Sequence, residues 1–169
     1  VFSSIKYNYP IFLTRNINTA KQWLKQTAKG TERIGIVASS GGRRLRAEGI
    51  DVKNEIDPAN WFLNDKDDVR SSYYLEEIAT EFDIQGLEID FTCVAWDINL
   101  HHDGKEWNYQ NFKGSKWQNI NQDAARNYLL NSYRVLLTRA RQGMIIFIPD
   151  VDNSDKTRTK AFYDQTFEY

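Results

Sequence analysis

The sequence predicts a layered α/β domain built around a mostly parallel β-sheet. Short apolar runs, typical of strands buried on both faces, alternate with segments of helical period. Ile34–Ala38 and residues 91–96 are the clearest apolar runs, and residues 123–142 are the clearest helix. Because parallel strands need crossover connections, this alternation indicates helices packed on the faces of one sheet.

The first predicted unit is a strand, a helix and a second strand. Ile11–Thr14 favours a strand, and Ile34–Ala38 is the apolar strand that closes the unit. Between them an asparagine at 16 or 18 can cap a helix, and Gly30 can follow its end. One stripe of that helix is small or apolar: Ala20, Trp23, Leu24 and Ala28.

The middle of the chain is less periodic. Residues 39–42 form a turn after the second strand, and residues 50–70 form a loop-rich connection anchored by Trp61, Phe62 and Leu63. A short helix is predicted at 71–77, followed by buried strands at 78–80 and 91–96. Residues 101–120 are polar and aromatic, which favours an insertion such as a β-hairpin.

The last third returns to a clear helix–strand–helix pattern. The helix at 123–142 has one apolar stripe and is expected to end at Gly143, before a buried strand at 144–149. The stripe consists of Leu129, Tyr133, Leu136, Leu137 and Ala140. Ser154 or Asp155 is expected to cap a final helix that contains Ala161, Phe162 and Phe167.

Composition places these elements in one domain, residues 1–169. A net charge of −1 lacks the strongly basic signature of a free-standing nucleic-acid binder. Cys93 is the single cysteine, and there is neither a leader pattern nor a membrane-length apolar run, so we expect a cytoplasmic protein without membrane contact. The chain starts without methionine and stops within a helical pattern, so we expect a domain of a longer protein.

Two short motifs carry the functional signal. Residues 85–90 read Gln-Gly-Leu-Glu-Ile-Asp, and residues 137–141 read Leu-Thr-Arg-Ala-Arg. Together with Thr80 they resemble motif V, T-x-x-x-x-[KQ]-G-L-E, and motif VI, T-R-A, of superfamily 1 helicases. From about Trp23 to Tyr163 the chain is similar to the Schlafen group 3-like DNA/RNA helicase domain, a bacterial family.

The resemblance implies a three-layer RecA-like domain of the P-loop NTPase type, corresponding to the C-terminal half of an ATP-dependent helicase or translocase. The sequence contains no G-x-x-x-x-G-K-[ST] string, so ATP hydrolysis by this chain alone is not expected. ATP and Mg²⁺ would be bound with an N-terminal RecA-like domain of the same parent chain, and neither is expected on this fragment. The nucleic acid would be DNA or RNA.

By position, the resemblance assigns most site residues to the nucleotide. Arg139 would act on the γ-phosphate as an arginine finger, a task suited to a permanently charged planar fork of donors. Glu88 would accept hydrogen bonds from the ribose hydroxyls, and Gly86 would let the backbone approach the phosphates. Gln85 and Thr138 complete these two motifs.

Further residues are assigned to motif IV or to the nucleic acid. Arg43, favoured slightly over Arg44, would contact phosphate after the second strand. Thr80 and Phe82 would contact the strand, with Phe82 standing where better-known helicases have histidine and offering base stacking instead. In a straight helix Arg139 lies on one flank, and Arg134 and Arg141 share the other, as surface, interdomain or nucleic-acid contacts. These two complete the nucleic-acid set.

Other chemistries stay open at this level. A metal-dependent nuclease could use Glu88 and Asp90 with Asp97 or Asp103 as magnesium ligands, but that leaves the T-R-A motif unexplained. A non-catalytic nucleic-acid-binding module is a further alternative. His101 and His102 lack a third ligand at metal-binding spacing, so no metal site is predicted. Three tryptophans serve either as buried anchors or as a stacking platform: Trp96, Trp107 and Trp117.

Overall fold

The computed structural model describes residues 9–151 and 154–169. Within these two ranges the chain forms two sheets and four α-helices. In chain order the elements are β1 (Ile11–Thr14), α1 (Ile17–Thr27), β2 (Ile34–Ala38), α2 (Pro58–Leu63), β3 (Ile78–Ala79), β4 (Ile89–Ala95), β5 (Leu100–His102), β6 (Trp107–Lys113), β7 (Lys116–Asn119), α3 (Asp123–Leu137), β8 (Ala140–Phe147) and α4 (Lys160–Glu168). Short 3₁₀ helices lie at Arg43–Glu48 and Ser72–Tyr74.

The main sheet has five strands in the order β1-β8-β4-β2-β3, and every neighbouring pair is parallel. The predicted parallel sheet is therefore confirmed. Because all strands run the same way, they begin at one edge and end at the other. We call these the amino edge and the carboxyl edge of the sheet.

Two apolar cores, one on each face of the sheet, give the fold three layers. On one face α1 contributes Ala20 and Leu24 to a core with Ile36, Cys93 and Ile145. On the other face, α3 and α4 pack against alternate residues of the same strands. That second core includes Val37, Val94, Leu129, Tyr133, Leu136, Met144 and Tyr163. The α/β three-layer fold expected from the sequence is confirmed.

The helix predicted at 123–142 is too long by five residues. α3 ends at Leu137 with Thr138 as its C-cap, and β8 begins at Ala140. The helical spacing of Ala140 is a coincidence, because Ala140 and residues 143–147 pair with β4, and residues 144–147 also pair with β1. Gly143 therefore lies inside a strand, where a Cβ would come 2.7 Å from Pro10 Cγ.

Of the two predicted helix N-caps, the first is confirmed and the second is wrong. Asn16 caps α1 as predicted, accepting hydrogen bonds from the amides of Asn18 and Thr19. The final helix starts later than expected, with Thr159 at its N-cap. Asp155 instead accepts hydrogen bonds from the amide and hydroxyl of Thr157.

The insertion at 101–120 forms a separate antiparallel sheet in the order β5-β6-β7, outside the main sheet as expected. Phe112 and Trp117 face each other across β6 and β7, and Trp117 Nε1 donates to the carbonyl of Thr157. Trp96 is buried, and Trp107 packs against it. These tryptophans anchor the insertion rather than present a stacking surface.

Among the described residues, no helix has both the length and the apolar character needed to cross a membrane.

Candidate functional site

The amino edge of the sheet brings together the residues of the two motifs. Ile89 and Ala140 are partners in the pairing of β4 with β8, and the Ile89 amide donates to the Arg139 carbonyl at 3.0 Å. Glu88 and Arg139 are therefore the residues immediately before two neighbouring strands. Their backbones are fixed next to each other by strand pairing.

The turn before Glu88 is shaped by Gly86. Its φ is +82°, a left-handed conformation that side chains with a Cβ rarely adopt. Apart from its two chain neighbours, no described residue has an atom within 4 Å of the place where a Cβ would stand, so the backbone there is open on its outer side. Buried Ile84 anchors the turn to the core, and its carbonyl accepts a hydrogen bond from the Leu87 amide.

Glu88 and Arg139 present opposite charges that the described part of the chain does not neutralise. The Glu88 side chain is exposed and makes no hydrogen bond or ion pair with residues 9–151 or 154–169. Arg139 is half-buried, and its Nε donates to the Val135 carbonyl at 3.3 Å. Its two terminal nitrogens have no partner among those residues, so both side chains are available to a ligand.

Three further predicted site residues lie in or beside the two motifs, and one of them caps a helix. The Thr138 hydroxyl donates to the Arg134 carbonyl at 2.8 Å, which caps the end of α3. Gln85 is exposed in the turn before Gly86. Arg134 is exposed on α3, and its guanidinium donates to Asn131.

Asp90 links the strands of the amino edge through hydrogen bonds. Its carboxylate accepts hydrogen bonds from the Arg33 amide at 2.8 Å, the Gln142 side chain at 2.8 Å and Arg141 at 3.0 Å. Burial alone would raise the pKa of Asp90, but these hydrogen bonds and the Arg141 charge outweigh it, and the pKa is lowered. Asp90 thus ties together the starts of β2, β4 and β8.

The Asp90 contact also corrects the predicted position of Arg141. Since α3 ends at Leu137, Arg141 lies in β8 and pairs with Asp90. It does not share a helix flank with Arg134, because the straight helix on which that comparison depended does not exist. Arg139 likewise lies between α3 and β8 rather than on a helix.

Arg43 lies at the opposite edge from Glu88 and Arg139. It follows the end of β2, whereas Glu88 precedes the start of β4, and these strands are parallel. β4 is seven residues long, so the two edges are separated by roughly 20 Å at about 3.3 Å per residue. The structure does not bring Arg43 into the Glu88 and Arg139 pair.

Arg43 and Arg44 differ in what they can reach. The Arg44 amide donates to Asp97 at 2.9 Å, and its guanidinium pairs with Asp155, so Arg44 holds the fold together. The Arg43 side chain is exposed and has no partner within the described ranges. Only Arg43 is free to meet a ligand.

Thr80 and Phe82 also lie towards the carboxyl edge, just after β3. Thr80 is nearly buried, and its hydroxyl and amide both donate to Asp83 at 2.7 Å. The Thr80 hydroxyl therefore donates its hydrogen bond inside the turn and not to a ligand. Phe82 is exposed and stands beside the ring of Tyr128, a residue that sequence reasoning did not single out.

A buried polar network at the carboxyl edge was also missed. Asp97 receives hydrogen bonds from Tyr163 and from the amides of Arg44 and Ile98. Burial raises the pKa of Asp97, and these donors oppose that rise. The Asn99 side chain accepts a hydrogen bond from the Tyr133 hydroxyl and donates one to the Ser39 hydroxyl. The sequence does contain a signal for this network, because its polar residues stand directly after a buried strand.

The carboxylates required by the nuclease alternative are not assembled. Asp97 is fully buried beyond the end of β4, at the edge opposite Glu88. Asp103 accepts hydrogen bonds from the amides of Lys105 and Glu106. No group of three His, Cys, Asp or Glu side chains that could hold a metal ion occurs in the described part of the chain. This geometry leaves the nuclease reading without a site.

Comparison with known proteins identifies the family. The family model described as Schlafen group 3, DNA/RNA helicase domain, matches residues 2–150, which is most of the chain. No curated protein and no solved structure matches significantly. Because that model covers well over half of the chain, the chain belongs to the Schlafen group 3 DNA/RNA helicase domain family.

Proposed function

We propose that this domain supplies one half of the ATP site of a helicase or translocase motor. The observation that carries the proposal is that Glu88 and Arg139 directly precede the paired residues Ile89 and Ala140. Among the described residues, neither side chain has a charged partner. The other half of the site, with a phosphate-binding loop, would come from an N-terminal RecA-like domain of the same parent chain.

The residues at the amino edge fit a nucleotide chemically. A free carboxylate such as Glu88 can accept hydrogen bonds from two neighbouring ribose hydroxyls. The terminal nitrogens of Arg139 can donate to phosphate oxygens while its Nε stays on the Val135 carbonyl. The open backbone at Gly86 permits close approach of a ligand.

The roles divide between binding and catalysis. Glu88, with Gln85 and Gly86, binds and orients the nucleotide. Arg139, held by the capped end of α3 at Thr138, neutralises the negative charge that grows on the γ-phosphate during transfer to water. ATP enters this reaction with Mg²⁺, and the phosphate-binding half would hold that ion.

A nucleotide titration followed by NMR tests this proposal in a protein that joins this domain to a phosphate-binding RecA-like domain. With ADP or ATP added, we expect amide shifts concentrated at residues 85–89 and 138–140. Titration with inorganic triphosphate should leave the Glu88 amide less affected, since it lacks the ribose. Shifts confined to the carboxyl edge, for example at residues 39–43, or no shifts at millimolar nucleotide, would refute the proposal.

A further inference from the structure

Two exposed aromatic rings lie together towards the carboxyl edge. Phe82 and Tyr128 are 59% and 54% exposed, and their ring centroids are 6.4 Å apart with 35° between the planes. Phe82 lies in the turn after β3, and Tyr128 lies in the first half of α3. Neither belongs to the two apolar cores. Most of the ring surface is therefore open to a ligand.

We propose that Phe82 and Tyr128 form a base-stacking site for single-stranded nucleic acid. A nucleobase lies against the two rings, and the sugar–phosphate backbone continues towards Arg43. The inference rests on the proposed motor function, which requires the domain to hold a strand, and it names the residues that do so.

The charges around the rings favour a base over a phosphate. Phe82 is flanked in sequence by Glu81 and Asp83. Glu81 accepts hydrogen bonds from the amide and hydroxyl of Ser40 at 2.8 and 2.7 Å, and Asp83 accepts both bonds from Thr80. Carboxylates beside the rings repel phosphate, whereas a neutral base gains contact with the rings.

Tyr128 is suited to this contact because it stays uncharged. Partial burial and the nearby Glu81 charge raise the pKa of Tyr128. Its phenol therefore remains neutral at physiological pH and adds no repulsion toward a nucleic acid.

Arg43 supplies an exposed positive charge on the loop that is hydrogen-bonded to the Phe82 turn. The two bonds from Ser40 to Glu81 tie the loop after β2 to the turn that carries Phe82. Arg43 stands three residues after Ser40 with an exposed side chain that no described residue neutralises. Aromatic rings next to a cation make up the usual surface for single strands, since rings take bases and cations take phosphates.

The same arrangement predicts which nucleic acids bind. Stacking uses the face of a base, which every base has, so sequence preference should be weak. In a duplex the faces are already covered by neighbouring bases. A single strand should therefore bind more tightly than the matching duplex.

Fluorescence anisotropy with labelled oligothymidylate tests the site. Phe82→Ala and Tyr128→Ala should each weaken binding by about 5- to 150-fold, the range for loss of one stacked ring. Tyr128→Phe keeps the ring and should bind like the unmodified chain. Tyr74→Ala removes another exposed tyrosine, in the 3₁₀ helix before β3, and is the matched control. Thermal unfolding of each variant checks that it is folded.

Two further measurements make the result decisive. An oligonucleotide with abasic sugars should bind the unmodified chain and Phe82→Ala equally, because no base is left to stack. Iodouracil in the strand should cross-link to Phe82 or Tyr128, as mapped by mass spectrometry. Unchanged oligothymidylate binding by both alanine variants would overturn the inference, as would failure of the unmodified chain to bind any single strand.

The remaining outcomes separate this inference from the proposed function. If the alanine variants bind oligothymidylate normally but nucleotide still shifts the amides of residues 85–89, only the stacking site is refuted. Stacking without those shifts supports a nucleic-acid-binding module and refutes the ATP proposal. Self-association that both alanine variants abolish, with oligonucleotide binding unchanged, assigns the rings to a protein contact and also overturns the inference.

Discussion

The amide of Ile89 donates a hydrogen bond to the carbonyl of Arg139, and this bond sets the alignment of the two motifs. β4 and β8 continue as parallel partners from this point, apart from one irregularity between Ile89 and Phe91. Any slip of β8 along β4 would carry Arg139 away from Glu88. The proposed site therefore depends on strand pairing in the core and not only on the residues that face the ligand.

Arg139→Ala should slow ATP hydrolysis on the order of a thousandfold in a protein that joins this domain to the proposed phosphate-binding domain. Nucleotide affinity should change little, because an arginine finger acts mainly on transition-state charge. Steady-state hydrolysis and nucleotide titration measure the two effects. Arg46→Ala, at an exposed arginine of the Arg43–Glu48 helix, is the control. Equal losses in both variants would contradict the role of Arg139.

Glu88→Ala should weaken nucleotide affinity and have a smaller effect on turnover at saturating ATP. The lost carboxylate removes the contact to the ribose hydroxyls, which is made before and during the reaction alike. Titrations with ATP and with its 2′,3′-dideoxy form give the test. The variant should no longer distinguish them, and a variant that still prefers ATP would show that Glu88 does not contact the ribose.

This chain by itself should show no ATPase activity. It lacks the phosphate-loop string, and its described residues hold no cluster that could bind a metal ion. Phosphate release should stay at background in a preparation free of contaminating enzymes. Hydrolysis that Arg139→Ala abolishes would contradict the expected division of the site between two domains.

Asp90→Asn should destabilise the fold by about 1–3 kcal/mol near neutral pH, because a charged acceptor of three donors is lost. The lowered pKa means that charged Asp90 stabilises the fold above the ordinary carboxyl pKa. That contribution is lost as pH falls through the lowered pKa of the folded state. Urea unfolding at several pH values should show the two proteins converging in acid. A constant difference at all pH values would contradict the charge argument.

Gly143→Ala should destabilise the protein by about 1–3 kcal/mol through overpacking against Pro10, the residue before β1. The new Cβ would meet Pro10 Cγ at 2.7 Å and the Pro10 carbonyl oxygen at 3.1 Å. Adding Pro10→Ala removes the first of these contacts and should restore part of the loss. Chemical unfolding of the single and double variants measures both effects. A neutral single variant would show that β1 can move away from β8 freely.

Much of the fold could be predicted from the sequence because burial patterns are local. The apolar runs of β2, β4 and β8 mark strands covered on both faces, and the Asn16 cap and the stripe of α3 mark helices. The order of the two motifs is also visible in the sequence, and it indicates the same family as the match over residues 2–150.

The tertiary structure decided where the helices end and which residues meet. α3 stops at Leu137 because the chain from Ala140 onward pairs with β4 in the main sheet. The same strand pairing places Arg141 in β8, where it forms an ion pair with Asp90. Strand direction placed Arg43 at the edge opposite Glu88, and packing of α3 brought Tyr128 beside Phe82. These relations join residues far apart in the chain, so local periodicity carries no record of them.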